Sequence, residues 1–421
     1  MAAVNTTTSA EGIAKRVYGR LKDLRPDSSK APLQRDIPFN SREKLGEEFS
    51  ETLLLTDEAG ATYGGSDANL FALNDSVAAE SKKVSASGCE IVMRGQIAMK
   101  AITTAMGQGE AAFESMWGRF MSNLKNSCGK RVDISLMHGG DDIGVISSVS
   151  GSAGTRTWVL STASWLPLAW LGSKNAPIDV YDTTLATKRN LTTNIVVTSV
   201  LPGVYTLNVS GLEAELAACV ATDRIFYKGA KDEECDGLLK IAGLAAGETY
   251  LGLAVNSYPD MWSGNVKNVG GALDFDTVQT ELMNVMARGG AVSKYRLYCS
   301  HPTWNSLASE MDALRVIDSS YSKDKQTLGQ KRIEYHTGSG TVEIVATLNM
   351  KFGQAVACPA PMEGDISRKG SIDVDFMLPN LGQRYFHVLP NDHGVEARCF
   401  SDQFFWSTEQ KSMIHFTGIT N

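Results

Sequence analysis

Six histidines (138, 301, 336, 387, 393 and 415) and seven cysteines (89, 128, 219, 235, 299, 358 and 399) are the side chains of this chain with the widest chemical repertoire. Neither set has the spacing of a site. The nearest histidine pair, His387 and His393, is six apart across Pro390, which suits neither a helical i,i+4 metal pair nor a strand pair. The cysteines are odd in number, scattered and without a CxxC pair, so they read as seven free, mostly buried thiols with no internal disulfide. No GxxxxGK[ST], GxGxxG, HExxH or GxSxG motif occurs, so phosphate-loop, dinucleotide, zincin and serine-hydrolase chemistry lack their usual equipment.

Two short stretches come closer to a site. His138-Gly139-Gly140-Asp141-Asp142 gathers an imidazole and two carboxylates in a glycine turn. Neighbouring carboxylates repel, and both stay ionised only when exposed or beside a cation, so the expectation is a solvated turn after a helix. Tyr258-Pro259-Asp260-Met261-Trp262 holds one acid and no nearby base, which is poor acid–base equipment but a good rigid turn with aromatic anchors. Trp158, Trp165 and Trp170 are spaced for neither one strand face nor one helix face; they are expected in a core or subunit contact rather than a sugar platform. Lys82-Lys83 and Lys130-Arg131 read as solvated charge or intersubunit ion-pair partners.

The elements around these residues follow from pattern. In EGIAKRVYGRLKDL, Ile13, Val17, Leu21 and Leu24 form one helical stripe that Pro26 ends, and the following PDSSKAPLQRDIPFN has little reason to pack on itself. Residues 47–86 read as a long hairpin: ETLLLT and a second strand within FALNDSVAAESKKV flank the tip DEAGATYGGSDAN. Phe113, Met116, Trp117, Phe120 and Leu124 fall at helical spacing, with Gly129 a possible stop, although RVDISLM could extend the helix or form a strand. IGVISSV, RTWVLST, IDVYDTT, NIVVTSV, VYTLNVS and DRIFYKG are six alternating runs that predict an antiparallel sheet module. DFDTVQTELMNVMARGG predicts a helix with an Asp276–Gln279 capping box, closed by Gly289-Gly290. Strand YRLYCS, a helix opening at His301-Pro302 with stripe Trp304, Leu307, Met311 and Leu314, and strands RIEYH and TVEIVAT follow. Strands QRYFHVL, EARCFSDQFFW and SMIHFTG close the chain.

Composition narrows the class. Apolar residues at 43% and charged residues at 21% mark a folded chain rather than a disordered one. A net charge of −7 without any dense basic run argues against gripping a nucleic-acid backbone, although an acidic chain can still surround one. The N-terminus lacks a basic-then-apolar signal pattern, and no window approaches the ~20 apolar residues of a membrane span.

The order of parts (arm, long two-stranded loop, long helix, β-rich insertion, α/β layer, closing strands) resembles the tailed-bacteriophage major capsid proteins of the Hong Kong 97-type fold. AFESMWGRFMSNLKNSCGKRVDISLMHGG followed by IGVISSVSG resembles that family's spine helix and its terminal glycine turn. PIDVYDTT resembles a hydrophobic-Asp-Val-Tyr strand of the inserted module. DGLLKIAGLA, YPDMWSGNV and GGALDFDTVQTELMNVMARGG resemble the entry into the axial domain.

The resemblance implies an α+β chain with an N-terminal arm (1–46), an extended loop (47–86), a peripheral domain with spine helix (87–142) and a β-rich inserted module (143–239). An axial α/β domain (240–379) and returning peripheral strands (380–421) complete it. It implies a non-enzymatic structural protein that self-assembles, as hexamers and pentamers, into an icosahedral head. That head would enclose double-stranded DNA without sequence-specific binding. Portal and scaffolding or decoration proteins would be partners; no cofactor, metal or membrane is expected. The chain would reside in the virion after assembly in the host bacterial cytoplasm. Leu53, Leu55, Tyr63, Leu70 and Phe71 would make inter-subunit contacts, Tyr258, Pro259 and Trp262 would pack the axial turn, and Phe113, Met116, Trp117, Phe120 and Leu124 would pack the spine helix. A maturation cleavage is not expected, because no long acidic leader precedes the arm, and the family's Lys–Asn cross-linking is not carried over. The alternatives are an encapsulin-like shell, which would be shorter and lack the β insertion, and a β-rich carbohydrate-active enzyme or adhesin, which would carry a signal peptide and convergent carboxylates or histidines.

Overall fold

The computed structural model describes residues 32–41, 44–45, 48–64, 70–100, 110–290, 294–315, 333–337, 340–360, 366–376, 387–388 and 393–420. The helix expected around Ile13–Leu24 lies outside them, as do the side chains of Phe113, Met116, Trp117, Met311 and Leu314.

One helix, Glu110–His138, runs for 29 residues, about 43 Å at 1.5 Å per residue. Gly129 does not stop it. Leu124, Cys128, Val132 and Leu136 are all buried at four-residue spacing, so one apolar stripe continues through the glycine and outweighs its low propensity. The stripe packs on a five-stranded sheet in which Gly394–Ser407 pairs with Cys89–Ala98 on one side and with Ile366–Asp375 and, toward its start, His387–Val388 on the other. Phe120 lies over Gly95 of that sheet, where an added Cβ would come within 2.7 Å of the ring.

The six alternating runs all form strands, and they close on themselves. Gly144–Ser150, Thr155–Leu160, Pro177–Tyr181, Ile195–Leu201, Thr206–Ser210 and Arg224–Tyr227 make an antiparallel closed barrel rather than an open sheet. Closure removes the unpaired edges that an open module would present. Trp158, Trp165 and Trp170 are buried in its core, with Trp165 and Trp170 stacked at 6.5 Å.

A six-stranded mixed sheet forms the third body, in the order Asn265–Asn268, Ile414–Thr417, Ala355–Pro359, Lys294–Cys299, Gly340–Ala346, Ile333–Thr337. The helix Phe275–Ala287 covers it with Phe275, Val278, Leu282 and Val285, and Leu307 of the helix His301–Arg315 joins the same core. The cap of the first helix differs from the expected box: the Asp274 carboxylate accepts from Thr277 N at 2.7 Å, and Gln279 instead accepts from the Tyr335 hydroxyl at 3.3 Å.

Three further expectations need correcting. Residues 32–40 of the proline-rich stretch do pack, on other parts of the chain: Leu33 and Ile37 are fully buried, Pro32–Asp36 is helical, and Phe39–Asn40 pairs in parallel with Arg368 and Lys369. Arg368 holds it by donating to Ile37 O and Gln34 O, while Asp36 meets Arg296 at 2.9 Å and the Tyr298 hydroxyl at 3.1 Å. The sheets also divide the chain elsewhere than at 379/380: Ile366–Asp375 already lies in the helix-covered sheet, and Ile414–Thr417 returns to the six-stranded one. Finally, the cysteines are not seven free thiols. Cys89 and Cys235 form a disulfide across 146 positions, and the other five are free and buried. Spacing along the chain carries no information about two residues that tertiary structure brings together.

Candidate functional site

Among the described residues, the hairpin carries the densest run of exposed large apolar side chains. Glu48–Leu54 and Ser81–Ala86 pair antiparallel from Phe49↔Ala86 to Leu54↔Ser81. Beyond them the two arms stay together through sparser bonds: Leu55 N to Glu80 O, Ala59 N to Val77 O, and Asn74 N to Thr62 Oγ1. The second strand is therefore the SKKVSA end of the expected segment, and the polar part before it runs as an irregular arm. Residues 65–69 of the expected tip lie outside the described residues.

The root and tip differ in burial. At the root, Phe49 and Val84 are fully buried, and Phe49 meets Phe404 edge-on at 5.7 Å. Leu53 and Leu55 are half-buried against this same core, so two of the five residues expected to contact another subunit also pack on their own. Toward the tip, Leu54 (71%), Tyr63 (91%), Leu70 (106%), Phe71 (57%) and Leu73 (79%) stand exposed. Strand alternation explains the split, because Leu54 faces away from Leu53 and Leu55. Phe71 folds back over Gly64, where an added Cβ would meet its ring at 2.7 Å.

The root is anchored on the aromatic turn. Glu80 pairs with Lys82 at 2.7 Å, and this contact first, then the Tyr258 hydroxyl, hold its carboxyl below the ordinary range. Ser85 N also donates to Leu251 O at 3.1 Å. Tyr258 and Trp262 are buried, with Trp262 beside Tyr250 at 6.0 Å, and Pro259–Trp262 is a single helical turn. Arg288, just past the helix Phe275–Ala287, clamps this turn. Its guanidinium donates to Pro259 O, Asp260 O, Ser263 O and Oγ, Gly264 O and Asn265 Oδ1. Nothing local marked Arg288, because its six acceptors lie 23 to 29 positions away.

The His138–Asp142 turn is largely buried rather than solvated: His138, Gly139 and Asp142 are buried and Asp141 is half-buried, while Gly140 is exposed. It is where the long helix, the barrel and the six-stranded sheet meet, and the cation that lets two adjacent carboxylates coexist is a lysine. Lys351, 3% exposed, places Nζ 2.7 Å from Asp141 Oδ2 and 3.2 Å from Asp142 Oδ1, while Arg224 of the barrel lies 3.6 Å from Asp142. Burial pushes the Asp141 carboxyl up, but the Lys351 charge and hydrogen bond outweigh it and hold it at about 2; Asp142 is raised by burial despite the same lysine. His138 is driven down to about 3, and His415 to about 4, by burial and, more weakly, by Lys351. His138 Nε2 lies 3.2 Å from Asn349 O, and Asn349 Nδ2 donates to Asp133 Oδ2 at 2.8 Å. Burial raises Asp133 to about 7. The arrangement is an interlock of charges, and among the described residues no group of three or more His, Cys, Asp or Glu is placed to hold a metal.

No protein-family model and no curated protein matches the chain. Solved structures do. A chain from the cyanophage A-1(L) capsid asymmetric unit aligns with TM-score 0.55 and 11% identity, over 96% of this chain and 96% of that one. A chain from the capsid of the native GTA particle aligns over 99% of this chain and 100% of its own with TM-score 0.46 and 9% identity. One from the capsid of Myoviridae phage XM1 covers 95% and 94% with TM-score 0.45 and 8% identity. The cyanophage alignment spans essentially both chains, so the fold is the α+β Hong Kong 97-type capsid fold.

Proposed function

We propose that this chain is the major capsid protein of a tailed phage, self-assembling into an icosahedral head around double-stranded DNA. The observation that carries this reading is the end-to-end match to a capsid subunit together with a hairpin whose outer apolar residues, Leu54, Tyr63, Leu70, Phe71 and Leu73, stand exposed on their own subunit. A two-stranded hairpin is marginal alone, because one face remains in water. A neighbouring copy would supply the missing surface, and many copies make weak contacts additive. Leu54, Tyr63, Leu70, Phe71 and Leu73 would lie on that neighbour, while Leu53 and Leu55 fix the hairpin's root. The net charge of −7 favours DNA held by confinement rather than by recognition. Portal and scaffolding or decoration proteins would complete the particle, with assembly in the host cytoplasm. The closed barrel between helix and six-stranded sheet weighs against the encapsulin-like alternative, which was expected to lack it. Electron microscopy of the purified chain tests the proposal: shells, rings or tubes are expected, and a monomer that never assembles, with or without co-expressed phage proteins, overturns it.

A further inference from the structure

The Cys89–Cys235 pair sits at a mechanically sensitive place. Cys89 begins the strand Cys89–Ala98, and only Ser87 and Gly88 separate it from the hairpin strand Ser81–Ala86. Cys235 lies in the segment between the barrel's last strand, Arg224–Tyr227, and the helix Leu238–Ala242. That segment is pressed onto the end of the long helix: Gly237 N donates to Gly139 O at 2.9 Å, and a Cβ on Gly139 would fall 2.0 Å from Cys235 O. The disulfide thus ties the hairpin's root to the junction of long helix and barrel. Its two cysteines are half-buried, whereas Cys128, Cys219, Cys299, Cys358 and Cys399 are buried. The pair that bonds is the pair that small molecules can reach.

We propose that Cys89–Cys235 is a reversible redox clasp on the hairpin, open in a reducing cytosol and closed by a low-molecular-weight disulfide of the glutathione class. In closing, one cysteine thiolate attacks the small disulfide to form a mixed disulfide and expel one small thiolate. The second cysteine thiolate then attacks the protein-side sulfur and expels the other. Two cysteine thiols lose two electrons, one small disulfide gains them, and the two protons leave on the two small thiols. The open form leaves the hairpin root free to adjust on noncovalent contacts alone; the closed form fixes it to a rigid element. The consequence for a shell rests on the capsid reading, but the clasp itself belongs to the single chain.

The test uses the full-length protein equilibrated with mostly oxidised or mostly reduced glutathione. Alkylation under denaturant with mass readout should find five thiols in the first case and seven in the second, and the two extra ones should map to Cys89 and Cys235. Amide exchange in residues 81–88 should slow by about tenfold or more on oxidation, because opening must then proceed against a covalent tether. Cys89→Ser and Cys235→Ser should each exchange like the reduced protein in both buffers. Seven thiols in the oxidised buffer, a different cysteine pair, or exchange at 81–88 indifferent to redox state would each overturn the clasp; all three are readable on the unmutated chain even if the variants fail to fold. If the chain never forms particles while the two-thiol difference and the exchange difference persist, the capsid reading falls and the clasp stands.

Discussion

Lys351→Met removes a positive charge from a buried site while keeping most of the side chain's volume, and it tests whether the three bodies are locked by charge. In the native chain Lys351 serves Asp141 at 2.7 Å and Asp142 at 3.2 Å, and among the described residues the other cation on the pair is Arg224, 3.6 Å from Asp142. Removing one partner of a buried ion pair costs about 3–5 kcal/mol, because the charge left behind stays desolvated. The cost should therefore be in that range at pH 7, measured by urea unfolding at 25 °C with tryptophan emission as the probe. It should shrink on acidification. In the native chain Asp141 is held at about 2, so its contribution is present above the ordinary carboxylate pKa of 3.8 and is lost only as pH falls toward 2. In the variant both carboxylates rise above their unfolded values, and the folded state then binds protons more readily than the unfolded one as pH drops. His138 and His415 move the same way, since Lys351 is one cause of their lowered values. The two stability curves should converge between pH 7 and about 4. Lys351→Met combined with Asp141→Asn should cost less at pH 7 than Lys351→Met alone. A cost below about 1 kcal/mol at pH 7, or one that does not change with pH, would refute the interlock.

Replacing residues 57–78 with an Asn-Gly turn should leave the subunit's far-ultraviolet circular dichroism and melting temperature nearly unchanged while abolishing assembly followed by light scattering, because the removed residues carry Tyr63, Leu70, Phe71 and Leu73 but none of the buried root. Arg288→Met should destabilise by about 2–3 kcal/mol in urea titration, since its charged donors satisfy several carbonyls of the Pro259–Trp262 turn and water reaches them only in part. Gly95→Ala should cost about 1–3 kcal/mol, measured the same way, because the new methyl must displace the Phe120 ring between helix and sheet.

Period and punctuation were enough to find most elements. The apolar stripe of Phe275, Val278, Leu282 and Val285, the six alternating runs after residue 143, and the strands on either side of His301 are patterns that each segment carries by itself, because burial on one face imposes a repeat of 3.6 or 2 residues. The hairpin was legible for the same reason, and so was the unusual exposure of its tip once no partner strand appeared nearby. Even the order of parts sufficed to suggest the fold. Pairing at long range was not legible. Asp141 and Asp142 looked solvated because their cation stands 210 and 209 positions away. Residues 32–40 looked unable to pack because the groups that hold them, Arg368 and Arg296, lie about 260 to 330 positions on. Cys89 and Cys235 looked free because a disulfide depends on distance in space. Each of these contacts is made when separate elements dock, and the chemistry of a docked contact is set by what the other element brings rather than by any local repeat.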